Sequence, residues 1–169
     1  MTPESIREKQ NKLKEQYRGH PETAVHTMSV TGVVSQSTYT IKLPTPAGDV
    51  EAGLHQAAGG SGTHACSGDM LLEALIGCAG VTLSAVATAM RISITKAEIT
   101  ATGGLDFRGP MGVNPDASVG FGNLRLQFDL DTDASPDSLD KLISLTEKYF
   151  VIYQTLSVQN TITTSTGTR

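Results

Sequence analysis

The chain has 169 residues, 38% hydrophobic and 18% charged, with no Trp and a formal net charge of -4. A chain of this length suits one domain rather than two, and it buries roughly two-thirds of the surface its unfolded form exposes, so it needs no staples. Its most basic stretch, Arg7 to Arg18, is interleaved with Glu8 and Glu15, which argues against a nucleic-acid partner because phosphate binding needs a concentrated positive field. Two cysteines, Cys66 and Cys78, are too few for a disulfide framework and fit a reducing compartment. The opening MTPESIREKQ lacks an apolar signal core, so a cytoplasmic location is expected.

In chain order, Thr2 to Arg18 reads as a charged surface helix capped by Thr2, with Ile6, Leu13 and Tyr17 as a thin apolar stripe and Gly19 as its stop. Residues 1–20 are therefore expected to be a helical extension, and 21–169 one domain. Val25, Met28, Val30, Val33, Val34, Tyr39, Ile41 and Leu43 then form short β-like runs, with turns at Ser35–Ser37 and at Pro44–Gly48, and a third strand over Val50–Leu54. A Gly-rich loop follows His55. Ser67 reads as the N-cap of a long helix ending near Arg91, with Asp69 in its first turn. From Met70 to Met90 this helix carries one charge, Glu73. Its length matches a membrane span, but Ala, Gly, Ser and Thr dominate it and no aromatic or basic belt flanks it. Burial in a soluble core or oligomer is the expectation, and Gly77 and Gly80 suggest that another backbone approaches closely. Strands are expected over Ile92–Ala101 and, with strict alternation, through Leu124, Leu126, Phe128 and Leu130. Ser135-Pro136 opens an amphipathic helix carrying Leu139, Leu142, Ile143, Thr146, Tyr149 and Phe150, and the Thr-rich tail from Leu156 to Thr166 reads as β-like. This order of elements predicts an α+β fold.

Four residue sets offer chemistry. Cys78, alone in the apolar helix, is either a small core residue or a nucleophilic thiolate. Cys66 lies beside a helix N-terminus, where the dipole favours a thiolate; with His55 and His64 it also invites a zinc reading, although a fourth ligand is lacking. Arg108 either pairs with neighbouring Asp106 or presents a charged fork to an oxygen-bearing ligand. The run Glu147 to Leu156, with Phe150 and Tyr153, suits a pocket wall or ordinary core packing. No acyl-transfer triad, phosphate loop or dinucleotide fingerprint occurs.

The run Cys66-Ser67-Gly68-Asp69-Met70-Leu71-Leu72-Glu73-Ala74-Leu75-Ile76-Gly77-Cys78-Ala79-Gly80, with Thr146-Glu147-Lys148-Tyr149-Phe150-Val151-Ile152-Tyr153-Gln154-Thr155-Leu156, resembles the two signatures of the OsmC/Ohr family of stress-response proteins. The resemblance implies an α+β fold in which antiparallel sheets wrap two central helices of an intertwined homodimer, with no cofactor or metal. It implies a thiol peroxidase of organic hydroperoxides with Cys78 as the attacking residue and Asp69, Phe150 and Tyr153 around its pocket. Phe150 stands where the family carries its second cysteine, Gly68 stands near the usual acidic position, and Arg108 or Arg18 is the nearest candidate for the activating arginine. Cys66 precedes Cys78 by 12 residues, roughly 18 Å if both were helical, too far for a disulfide. An external dithiol is then the expected resolver. The alternative is a catalytically degenerate dimer that binds a small apolar ligand.

Overall fold

The first element, α1 (Pro3–Gly19), begins where the Thr2 hydroxyl accepts a hydrogen bond from the Ser5 amide at 3.3 Å. Ile6 and Leu13 stay exposed along it, as a thin stripe on a charged helix should. This computed structural model describes residues 2–167, and the chain divides between Glu51 and Ala52 into two compact units.

In the first unit, β1 (Val33–Ser35) pairs antiparallel with β2 (Thr40–Thr45), placing Val33 opposite Lys42 and Ser35 opposite Thr40. A tight turn leads into β3 (Gly48–Gly53), closed by the Thr45 hydroxyl donating to the Gly48 carbonyl at 2.6 Å and by a Lys42–Asp49 ion pair at 2.7 Å. The β-run expected from Val25 does not form. Residues 25–32 lie outside helix and strand, and Val25, Met28 and Val30 are exposed. β-branched residues favour a strand only where a partner strand or a core face receives them.

The second unit opens with a parallel pairing of Ala52 and Gly53 against Ala65 and Cys66 of β4 (Ala65–Cys66), a departure from an all-antiparallel expectation. The chain turns directly from β4 into α2 (Ser67–Met90). The N-cap is therefore Cys66, in extended backbone and making no side-chain cap bond, while Ser67 is already helical; β4 consumes the residue that would otherwise have preceded the cap. Arg91, at φ 58, ends the helix. The next strand then starts later than expected, because Ile92 donates back to the Ala87 carbonyl at 2.9 Å. It is β5 (Lys96–Gly104), antiparallel to β6 (Gly122–Asp131), with Ile99 opposite Phe128 and Ala101 opposite Leu126. The register shifts between Thr102 and Gly104, where Asn123 adopts φ 52. α3 (Pro136–Tyr149) is capped by Ser135, and α4 (Val151–Ser157) follows after a break at Phe150. Leu156 thus belongs to a helix, and residues 158–167 have no regular structure. Among the described residues no strand pairs with this tail, so its Thr-rich pattern finds no ladder to join.

Packing explains the order. Leu75, Ala79, Leu83 and Ala87, four residues apart on α2, are its buried positions. Leu83 and Ala87 meet Leu142, together with Ile99, Phe128, Leu130 and Leu139; Leu75 and Ala79 meet Phe150, with Ala101 and Leu126. Alternate residues of the β5–β6 ribbon supply the other side of both clusters. Thr146 tolerates complete burial because its hydroxyl donates to the Leu142 carbonyl at 2.8 Å. Along the opposite side of α2, Ala74, Gly77, Val81 and Ala85 are exposed, Val81 by 74%. A β-carbon at Gly77 would meet nothing within 4 Å among the described residues. An 18-residue window of α2 has mean hydropathy 1.9, apolar enough by composition to cross a bilayer.

Leu142 is fully buried, so Leu142→Ala should cost about 2–5 kcal/mol. Urea unfolding followed by circular dichroism should show a lowered midpoint with an unchanged slope; a shift equivalent to less than about 0.5 kcal/mol, as at a surface position, would contradict this core.

Candidate functional site

Cys78 is half-buried on α2, next to the fully buried Ala79, and packs against the cluster of Leu75, Ala79 and Phe150. The break between α3 and α4 gives Phe150 its place. Its backbone is extended (φ -83, ψ 99), and its amide bonds the Glu147 carbonyl at 3.4 Å, while the Gln154 side-chain amide donates to the same carbonyl at 2.9 Å. The helix end is thereby satisfied, and the ring of Phe150 is completely buried, stacked on Tyr153 with centroids 5.8 Å apart. The structure thus assembles Cys78, Phe150 and Tyr153 around one apolar cluster.

Cys66 and Asp69 belong elsewhere. Both sit at the N-terminal end of α2, Asp69 exposed and Cys66 half-buried; helical rise puts Cys66 roughly 18 Å from Cys78, and both thiols are free. Gly68 is closely packed here. A β-carbon on it would lie 3.1 Å from the ring of Phe121 and 3.6 Å from Cys66 Sγ. Gly103 receives the other side of that ring, since a β-carbon there would lie 2.8 Å from Phe121 and 2.7 Å from Leu124. Phe121 therefore rests on two glycines, and a β-carbon at position 68 would need its ring to give by a few tenths of an ångström.

Arg108 is engaged by its neighbour. Its Nε contacts both Asp106 carboxylate oxygens at 3.0 and 3.1 Å, its Nη2 one at 2.6 Å, and its amide donates to Asp106 Oδ1 at 3.0 Å. These bonds hold the Asp106 carboxyl down to about 2 and raise the guanidinium pKa of Arg108. Of the two readings of Arg108, the paired one describes this geometry. The same loop carries Phe107, stacked on His55 with centroids 4.9 Å apart, while His55 Nδ1 accepts the Ala57 amide at 3.0 Å. His55 is thus occupied as a local cap, and among the described residues no group of three His, Cys, Asp or Glu side chains could hold a metal.

A cavity of about 260 Å³ lies beside the cluster, lined by Leu75, Leu124, Leu126, Phe128, Ile143, Glu147, Tyr153, Leu156 and Ser157. Tyr153 is the expected pocket residue among them, whereas Phe150 is core and Asp69 lies at the far end of α2. Glu147, the first residue of the run expected as a pocket wall, is the cavity's charged member, one helical turn beyond Ile143 on α3. The spacing alone places it on that face.

A model of the OsmC-like protein family matches residues 60–165, which include Cys66, Cys78 and Phe150. The chain belongs to this family. No curated protein matches it significantly. Among solved structures, the OsmC-like protein of Mycoplasma pneumoniae is similar, with a TM-score of 0.64 at 18% identity over 78% of this chain and 88% of that one. An organic hydroperoxide resistance protein from Elizabethkingia anophelis gives 0.57 at 15% identity, covering 78% and 88%. The organic hydroperoxide resistance protein OhrB of Bacillus subtilis gives 0.53 at 18% identity, covering 77% and 90%. At these identities the likeness establishes that this OsmC-like chain shares their α+β fold.

The Asp106–Arg108 contact makes a pH prediction. The folded carboxyl titrates below its ordinary value of 3.8, so the contact stabilises the loop above about pH 4, and that contribution is lost as pH falls through about 2. Carbon-detected NMR titration should place Asp106 near 2 in the wild type and back near its ordinary value in Arg108→Gln. An Asp106 midpoint near 4 in the wild type would remove the contact from solution.

Proposed function

We propose that this OsmC-like protein is a one-cysteine, thiol-dependent peroxidase of organic hydroperoxides, working as a stress-response protein in the cytoplasm. The observation that carries the reading is the position of Cys78: a half-buried thiol on the family's central helix, set against the apolar cluster of Leu75, Ala79 and Phe150. Such a setting suits a peroxide with an apolar organic group. The Cys78 thiolate attacks the terminal peroxide oxygen, the O–O bond breaks, and the alkoxide leaves as an alcohol after taking a proton. The sulfur becomes a sulfenic acid. An external dithiol then displaces water to form a mixed disulfide, and its second thiol releases Cys78 as a thiol while the dithiol becomes a disulfide. Cys66 stands about three helical turns away and Phe150 carries no sulfur, which favours this external route. Arg108 would be free for a catalytic role only with its fork released from Asp106.

The proposed unit is a homodimer in which a second copy packs on the exposed side of α2. Small residues there allow helix axes to approach closely, and the exposed Val81 gains cover. The names of the similar structures from Elizabethkingia anophelis and Bacillus subtilis are consistent with the hydroperoxide reading. A second reading is a dimer without catalysis that holds a small apolar ligand. It is favoured by the full burial of Phe150, a ring where a resolving sulfur would serve.

Cumene hydroperoxide mixed with the protein and a dithiol decides between them. The peroxidase reading expects steady peroxide loss with wild type, a fall to the dithiol background with Cys78→Ser, and a wild-type rate with Cys66→Ser. Equal rates for wild type and Cys78→Ser would leave the ligand-binding reading.

A further inference from the structure

The cavity beside α3 and α4 has a composition that hydroperoxide chemistry does not use. Most of its lining side chains are apolar, Leu126, Phe128 and Ile143 among them, with Tyr153 also in the lining. Into this lining comes one ionisable acid, Glu147, half-buried. Its backbone carbonyl is occupied by Phe150 and Gln154, but among the described residues its carboxylate meets no donor or cation. The adjacent Lys148 ammonium sits instead over the ring of Tyr149, 5.4 Å from its centroid. A carboxylate at the edge of a largely apolar groove is available to a cation brought by a ligand.

We propose that this cavity is a binding site for a small apolar amine, its ammonium paired with Glu147 and its hydrocarbon part packed on Leu126, Phe128 and Tyr153. The volume, about 260 Å³, sets the size. An apolar cavity of about 150 Å³ accepts a benzene ring, so one ring with a short aminoalkyl arm fits. Ser157, also in the lining, carries a hydroxyl able to accept a further hydrogen bond. Cys78 does not line this cavity, although Leu75 and Tyr153 belong both to its lining and to the cluster against which Cys78 packs.

Three isosteric probes test this in the full-length protein: benzylamine, benzyl alcohol and benzoate, each titrated and followed by protein-observed NMR. Benzylamine should saturate with a Kd of roughly millimolar order and shift amides of α3, α4 and β6. Benzyl alcohol should bind roughly tenfold more weakly, because it lacks the charge-assisted bond, and benzoate should be weakest. Glu147→Gln should reduce benzylamine affinity by roughly tenfold while leaving benzyl alcohol unchanged. Equal affinity for benzylamine and benzoate in the wild type would overturn the proposal without recourse to any variant. So would shifts confined to residues outside the cavity, or no saturation by benzylamine at all.

Discussion

One packing relation organises the second unit: the stripe Leu75–Ala79–Leu83–Ala87 of α2 set against the β5–β6 ribbon and α3. A helix this apolar has little polar surface to turn outward, so its stripe must find cover. Two leucines and two alanines alternate along it. The leucines bring volume, and the alanines let the partner elements come close. Because Cys78 adjoins Ala79, its half-burial follows from the same packing, and the thiol's environment is fixed by where the stripe lies. The opposite side of the helix, with Gly77 and Val81, finds no such cover among the described residues of this unit.

The break at Phe150 is the second constraint. Phe150, extended between α3 and α4, has its ring fully buried in the core, while the Gln154 side chain and the Phe150 amide satisfy the freed Glu147 carbonyl. The buried ring contributes packing that a cysteine could not. For the proposed peroxidase the consequence would be relief of an oxidised Cys78 from outside, because the chain's other cysteine, Cys66, lies about three helical turns away.

Much of this was legible in the residues. The alternation of Leu124, Leu126, Phe128 and Leu130 marks β6 because one face packs and the other is wet. The spacing of Leu139, Leu142 and Thr146 marks α3 equally well, and the two signature runs indicate the family. What could not be read depended on partners distant in sequence. Val25 to Val30 has the composition of a strand but no ladder beside it. The Thr-rich tail has the same problem, and Leu156 was drawn instead into α4. Ser67 is a good cap by type, yet β4 extends to Cys66 and takes the position. Gly68 and Gly103 look like ordinary loop or strand glycines until Phe121 is seen seated on both. The pairing of Arg108 with Asp106 was one of two local options, and choosing between them required coordinates.

The proposed dimer follows from the uncovered side of α2, and sedimentation equilibrium of the purified protein tests it most directly. A mass twice that of the chain at micromolar concentration is the expected result, shifting toward the single-chain mass in Val81→Arg. A wild-type protein sedimenting only as a monomer, with its helix stable and exposed, would contradict the claim that α2 requires cover on both sides.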